Sequence, residues 1–161
     1  PDLRLTIVGD GPDKPALQQR AGQLGIADRI EFTGAVPNDE VPRYYRSARI
    51  AVVPSVVSAD GDQEGLGLVA VEALGCGCAT IVSDLPALRD VVTDEDNGLV
   101  FRAGDAAGLA GRIRTLLTDD GLRARLAARS RPSVVDRFDW QTVGAGYGTL
   151  IDRLLAVNPG R

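Results

Sequence analysis

The sequence lacks histidine and methionine altogether, and it contains only two cysteines and few aromatic residues. Without histidine, this chain has no imidazole to act as a general base or to ligate a metal. Cys76 and Cys78 are two positions apart, where a disulfide would be strained, and two thiols alone do not make a zinc site. We therefore interpret both as small buried residues at a helix–strand junction, in a protein of a reducing compartment.

An excess of positive charge and long apolar runs are also missing. The 161 residues carry a net charge of −4 with a pI near 4.8, which argues against a nucleic-acid-binding groove. No apolar stretch approaches the roughly 20 residues of a membrane span. Hydrophobic residues make up 44% of the chain and charged residues 25%, which is ordinary for a globular domain. We expect a cytoplasmic domain with no nucleic-acid partner.

What is present is an alternation of strand and helix patterns along a chain the size of one domain. Short apolar runs bounded by glycine, proline or polar turns predict strands, and longer periodic stretches predict helices. The predicted strands are 3–8, 30–32, 50–53, 80–83 and 98–101, and the predicted helices are 13–25, 39–48, 66–75, 85–92, 105–117, 120–130 and 140–157. Asp105 is the predicted N-cap of the helix over 105–117. This alternation favours an α/β fold, a Rossmann-like parallel sheet with helices on both faces.

The segment from Glu64 to Glu72 carries the strongest chemical pattern. Seven apolar or glycine residues separate the two carboxylates, and a helix is predicted to begin between them. A helix start carries unpaired N–H groups and a partial positive charge that attract phosphate, and Gly65 and Gly67 remove side chains that would block close approach. Glu72 would lie about two turns further on, roughly 8–10 Å along the axis, a span that bridges a pyrophosphate. We expect this helix to be buried, so that the Glu72 carboxylate needs a partner.

Three other interpretations of nearby residues are weaker. Gly9 and Gly11 lack the third glycine of a dinucleotide fingerprint, so no NAD site is expected. Asp60 and Asp62 flank a glycine in the polar loop before the helix, which is more typical of a solvated turn than of a metal site. Glu64 also fits a purely structural role as a helix N-terminal acid, worth about 0.3–1 kcal/mol.

The Glu64–Glu72 segment resembles the E-x7-E signature of retaining glycosyltransferases of the GT-B fold, of the large family 4 type. Similar family patterns surround it: Leu5–Pro12 (LTIVGDGP), Pro54-Ser55, Glu72–Asp84 (EALGCGCATIVSD), Asn97–Phe101 (NGLVF) and Gly104-Asp105. Together they extend over nearly all of residues 3–157. Leu66 in place of the common Phe and Cys78-Ala79 in place of Thr-Pro depart from the pattern and leave the donor sugar open.

The resemblance implies a donor site at the carboxyl ends of the strands. It implies that Glu64 holds hydroxyls of the donor sugar as the catalytic residue, and that Glu72 holds the ribose of the nucleotide. The backbone N–H groups of Gly65, Leu66, Gly67 and Leu68 would face sugar and phosphate, Val36 would meet the base through its backbone, and Gly9 and Gly34 would lie at strand ends of the same site. The resemblance implies catalysis without a metal, so no metal or other cofactor is expected.

The resemblance also sets an expected domain organisation. Residues 1–157 correspond to the C-terminal, donor-binding domain, followed by a tail at 158–161. We expect the first strand and helix of that domain, and a whole N-terminal domain with acceptor contacts, to lie in a longer parent chain. In the family's sheet order, 3-2-1-4-5-6, strands 3–8 and 50–53 flank the position of that absent strand. Direct pairing of these two strands is the rival order. The last helix would pack on the N-terminal domain and be partly bare here.

The function implied is transfer of a sugar from an NDP-sugar to an acceptor, with retention of configuration, by the parent protein. The acceptor, whether sugar, lipid or small molecule, is open, and the isolated fragment is expected to be inactive in transfer. Contact with the inner membrane face is possible through the N-terminal domain. The alternatives are an NDP-sugar epimerase or a phosphorylase on the same fold, or a non-catalytic nucleotide-sugar-binding domain.

Overall fold

The computed structural model describes residues 3–58, 60, 61, 63 and 65–157, and within them strands and helices alternate as expected. The strands are β1 (Leu5–Val8), β2 (Ile30–Gly34), β3 (Ala51–Val53), β4 (Thr80–Ser83) and β5 (Leu99–Phe101). The helices are α1 (Lys14–Gln23), α2 (Val41–Ser47), α3 (Leu68–Gly75), α4 (Pro86–Arg89), α5 (Ala106–Thr118), α6 (Asp120–Phe138) and α7 (Trp140–Val157). A single 3-10 turn, Ala27–Arg29, precedes β2. None of the described helices is long and apolar enough to cross a membrane.

The strands form two parallel sheets in two compact units. β1 pairs with β2 in the first unit, residues 1–44, and the second unit, residues 45–161, holds a sheet of order β3-β4-β5. All three ladders are parallel, which confirms the α/β fold with parallel strands. Each ladder lies within one unit, so direct pairing of β1 with β3 stays a prediction. The empty strand position between them stays a prediction.

Helices cover both faces of the β3-β4-β5 sheet. On one face, Val82 packs in a cluster with Leu74 of α3 and Leu88 of α4. On the other face, Ile81 packs with Leu116 of α5. Neighbouring residues of β4 thus point to opposite faces, as the pleat requires, and both are fully buried. Burial of each such side chain contributes about 1.5–3 kcal/mol, so this sheet holds the second unit together.

Two predicted helix boundaries were wrong. The predicted helix over 85–92 is only the short α4, and α6 extends well past 130 although Pro132 lies inside it. Arg131 Nη1 donates to Gly75 O at 2.8 Å, and Arg137 Nη1 donates to Asp90 O at 2.7 Å. These tertiary bonds hold α6 on both sides of the proline, which by itself favours a helix end.

The predicted cap of α5 is confirmed. The Asp105 carboxylate accepts a hydrogen bond from Gly108 N at 2.9 Å, so it satisfies one of the N–H groups that a helix start leaves unpaired. An added Cβ at Gly108 would lie 2.5 Å from that carboxylate, so the glycine leaves room for the cap. The family-like Gly104-Asp105 pair therefore has a structural role here.

Candidate functional site

The start of α3 is shaped by Gly67. The helix begins at Leu68, two residues later than predicted, because Gly67 adopts a left-handed conformation with φ 67°. A Cβ at this position would lie 3.2 Å from Ala87 O and 3.2 Å from Leu88 Cδ2, whereas a Cβ at Gly65 would meet nothing within 4 Å. Gly67 therefore permits close packing of α3 on α4, and Gly65 leaves the approach from solvent open.

The backbone at Gly67 begins the first turn of α3. Gly67 O accepts hydrogen bonds from Ala70 N at 2.9 Å and Val71 N at 3.1 Å. The first turn contains no acidic or basic residue, and glycine has no side chain to accept a bond from it. The start of α3 carries the positive end of the helix dipole, and no acidic side chain of its first turn opposes it, which favours an anion there.

The two faces of α3 differ in exposure, and this corrects one expectation. Ala70, Ala73 and Leu74 are buried, but Leu68 is 55% exposed and Glu72 is exposed as well. The helix therefore buries one stripe only, since residues at 100° intervals place Glu72 on the side away from Ala70 and Leu74. The prediction of a wholly buried helix was wrong, and the Glu72 carboxylate is solvated and open to a ligand rather than in need of a buried partner.

Part of the predicted site lies outside the described residues. These are Glu64, the predicted catalytic carboxylate, and Asp62, one of the two aspartates considered for a metal. Asp60 is described: its carboxylate accepts a hydrogen bond from Ser58 Oγ, and Gly61 N donates to Ser58 O at 3.0 Å. Asp60 therefore takes part in a local turn, as the sequence suggests.

In the first unit, Gly9 and Gly34 meet at the carboxyl ends of β1 and β2. Gly9 has φ 122° and its N–H donates to Gly34 O at 3.0 Å, while Gly34 has φ 72°. Val36 is half-buried in the loop that leaves β2. The structure thus brings Gly9 and Gly34 together within the first unit, and Gly67, Leu68 and Glu72 together within the second.

Lys14 and Asp10 are neighbours of Gly34 that the sequence reasoning missed. Lys14 Nζ lies 3.4 Å from Asp10 Oδ2, and a Cβ at Gly34 would lie 3.4 Å from the same Nζ. The spacing of four residues, typical of helical ion pairs, was the available signal. A cavity of about 230 Å³ lies beside this turn, with Ile7, Leu17 and Phe32 in its wall. Lys14, the single lysine of the chain, therefore lies close to Gly34 at the carboxyl end of β2.

A second cavity, of about 240 Å³, lies in the second unit, at the edge of its sheet where the strands begin. Its wall includes Arg49 before β3, Cys78 before β4 and Arg123 of α6. Arg49 and Arg123 both contact Asp120, at 3.6 Å and 2.6 Å, and Arg123 also donates to Leu116 O at 2.8 Å. The arginines thus fasten the junction of α5 and α6. In an open α/β sheet ligands bind beyond the carboxyl ends of strands, so this amino-edge cavity is not the predicted site.

The family-like Asn97-Gly98 pair has a structural explanation. The buried Asn97 side chain donates to Val91 O at 3.0 Å and accepts from Thr93 N at 2.8 Å. A Cβ at Gly98 would lie 2.8 Å from Thr80 O, so only glycine lets β5 approach β4 there. This pair shapes the turn before β5.

The interpretation as a buried packing residue is confirmed for Cys78 and holds only in part for Cys76. Both thiols are free, Cys78 is buried, and Cys76 is half-buried. Burial raises the pKa of the Cys78 thiol to about 11, and its Sγ lies 3.7 Å from Ala48 O. A thiol with this pKa is protonated at neutral pH and unreactive, as a packing residue should be.

Comparison with known proteins places the chain in one family. The family model described as "Glycosyl transferases group 1" matches residues 1–132. A GDP-mannose-dependent alpha-(1-6)-phosphatidylinositol monomannoside mannosyltransferase of Mycolicibacterium smegmatis is 32% identical over 152 residues, which are 94% of this chain and 40% of that protein. A phosphatidyl-myo-inositol mannosyltransferase of the same organism is 37% identical over 145 residues, 90% of this chain and 35% of that protein. The chain thus spans well under half the length of these relatives.

Solved structures show the same fold. The crystal structure of Anabaena Alr3699/HepE in complex with UDP superposes with a TM-score of 0.85 at 22% identity, over 95% of this chain and 42% of that one. Such structural neighbours are glycosyltransferases of the GT-B fold.

Proposed function

The chain belongs to the group 1 glycosyl transferases, and from that premise we propose that it is the donor-binding domain of a retaining, family 4 glycosyltransferase. The parent protein would transfer a sugar from an NDP-sugar to an acceptor with retention of configuration and without a metal or cofactor. The relatives' names support a sugar-transfer reaction, and one of them names GDP-mannose as the donor.

The glycine-led start of α3, with no acid in its first turn and Glu72 on its solvent side, is the observation that carries this proposal. The N–H groups after Gly67 would face the diphosphate, where the helix dipole stabilises negative charge as the nucleotide leaves. Glu72, one turn after Leu68, would accept hydrogen bonds from ribose hydroxyls, since an exposed carboxylate is a strong acceptor. Gly65 and Leu66 would contribute further backbone N–H groups.

Glu64 would bind hydroxyls of the transferred sugar rather than the nucleotide, as the E-x7-E resemblance implies. Gly9, Gly34 and Val36 would contribute backbone contacts to the nucleotide, with Val36 at the base. The loss of function in a Glu64 variant should therefore appear in turnover more than in nucleotide affinity.

A thermal-shift comparison of ligands tests the proposed donor class. The protein is heated with UDP-glucose, GDP-mannose or NAD, each at millimolar concentration, and a ligand that binds only the folded state raises the melting temperature. We expect a rise with at least one NDP-sugar and none with NAD. A rise with NAD alone would contradict the proposal, and so would the absence of a rise with all three ligands.

Turnover of the whole protein then separates transfer from the alternatives. Consumption of the NDP-sugar is followed with and without phosphatidylinositol as a trial acceptor, for the wild type and for Glu64→Ala. Formation of a glycosylated lipid that depends on Glu64 supports a transferase. Conversion of the NDP-sugar to an isomeric NDP-sugar without any acceptor would instead indicate an epimerase.

A further inference from the structure

Tyr45 of α2 fills a slot between α2 and the outer side of α3. Its ring packs against three small residues, Ala51 of β3, Ala73 of α3 and Cys78 before β4. Because these three residues are small, they leave a slot that fits the aromatic ring of Tyr45. A larger side chain at any of the three positions would displace that ring. Tyr45 is only half-buried, which leaves the hydroxyl end of the ring near the surface of α3.

The hydroxyl group contacts the turn of α3 that leads to Glu72. Tyr45 Oη donates to Val69 O at 3.4 Å. Residues 69, 72, 73 and 76 lie on one side of a helix because they are three or four positions apart, and Tyr45 runs along this side. Burial, and next the negative charge of Glu72, raise the pKa of Tyr45 to about 12, so its hydroxyl stays protonated and remains a donor at physiological pH.

We propose that Tyr45 is a positioning residue for Glu72, the carboxylate assigned above to the nucleotide ribose. Its hydroxyl fixes the carbonyl of Val69, three residues before Glu72, and its ring packs against Ala73, the residue after Glu72. Glu72 is thereby held at one orientation before the nucleotide arrives, which lowers the entropic cost of binding. This inference rests on the proposed function of the same site.

The test compares Tyr45→Phe with Tyr44→Phe. The first variant removes the hydroxyl and keeps the ring in its slot. The neighbouring Tyr44 hydroxyl accepts a hydrogen bond from Arg43 Nη2 at 3.0 Å and is assigned no part in the site, so its variant is the matched control. UDP and GDP are titrated calorimetrically into each protein, and thermal melting checks that the fold is retained. We expect Tyr45→Phe to weaken the better-binding nucleotide about three- to tenfold, the loss typical of one hydrogen bond. Tyr44→Phe should bind as the wild type does.

A double variant distinguishes positioning from general support of the fold. If Tyr45 acts through Glu72, adding Tyr45→Phe to Glu72→Ala should cause no further loss of nucleotide affinity, even where both changes lower the melting temperature additively. Wild-type affinity of Tyr45→Phe, or multiplicative losses in the double variant, would overturn the inference while leaving the proposed function in place. Absence of UDP and GDP binding to the wild type would overturn both.

Discussion

Among single residues, Gly67 determines how closely α3 and α4 approach each other. Its backbone is left-handed, and a Cβ added to it would lie 3.2 Å from the backbone oxygen of Ala87, so both its conformation and its missing side chain are required. Few other glycines of the chain meet both conditions. The helix start proposed to face the diphosphate therefore depends on a residue whose replacement has two separate physical costs.

Gly67→Ala should destabilise the protein and weaken nucleotide binding. A non-glycine residue in the left-handed region costs about 1–2 kcal/mol, and the contact with Ala87 O adds to this. The matched control is Gly75→Ala, at the last residue of the same helix, where a Cβ would meet nothing within 4 Å. That change should leave the unfolding free energy unchanged or raise it by up to about 1 kcal/mol. Equal stability of the two variants in urea unfolding would contradict the packing account.

Cys78 makes the protein sensitive to alkaline pH. Burial raises its pKa from 9.0 to about 11, so the folded state holds the thiol proton more tightly than the unfolded chain does. The stability from this group is complete below pH 9 and is lost as the pH rises towards 11. The melting temperature should therefore fall over this range, and less steeply in Cys78→Ala than in the wild type. Cys76→Ala, which retains the buried thiol, should keep the wild-type slope.

Among the helices, α7 leaves a large apolar surface exposed. Its apolar side chains are exposed: Trp140 by 87%, Tyr147 by 65% and Leu155 by 64%. The expectation of a bare apolar side is confirmed. Gly144, Gly146 and Gly148 weaken the helix further, by up to about 1 kcal/mol each.

Hydrogen exchange should therefore be faster in α7 than in α3 or β4. An isolated helix of this length is marginal in water, and little apolar packing compensates for the three glycines. We expect amides of 144–155 to exchange orders of magnitude faster than those of Ile81 and Val82. Mass spectrometry of peptic fragments measures this directly. Protection of α7 equal to that of β4 would contradict the expectation and show that further contacts hold the helix.

Elements that local interactions form could be predicted from the sequence, and elements that contacts with distant residues hold could not. The cap at Asp105 and the extent of α7 could be predicted, because local pattern and capping chemistry determine them. The length of α6 could not, since hydrogen bonds from Arg131 and Arg137 to other elements hold it across Pro132. The exposure of Glu72 was missed for a similar reason: packing buries the side of α3 that carries Ala70 and Leu74, and Glu72 lies on the other side.

At the scale of the whole molecule, the two units differ in how completely their strands are buried. The central strand β4 is buried along its length, whereas Leu5 is 48% exposed and β1 contributes no fully buried residue. The fold class and the family could be inferred from sequence, because strand–helix alternation and local motifs carry them, whereas the chemistry of the 64–72 segment stays a prediction. How residues far apart in the chain combine into one site depends on tertiary structure and could not be inferred.

This difference predicts unequal stability of the two sheets. We expect amides of β1 and β2 to exchange faster than those of β4, and to do so at denaturant concentrations too low to unfold the second unit. Native-state hydrogen exchange measures both sheets in one sample. A single common opening free energy for β1 and β4 would instead show that the two units unfold together.

The measurement that tests the central claim most directly is calorimetric titration of UDP and GDP into the wild type, Glu72→Ala and Asp136→Ala. Asp136 is an exposed carboxylate of α6 with no assigned role, so its replacement controls for lost charge. If α3 binds the nucleotide as proposed, Glu72→Ala loses about 1–3 kcal/mol of binding free energy, as expected for a hydrogen bond to a charged group, and Asp136→Ala loses none. Unchanged affinity in Glu72→Ala, with normal binding by the wild type, would show that the nucleotide binds elsewhere and would contradict the account.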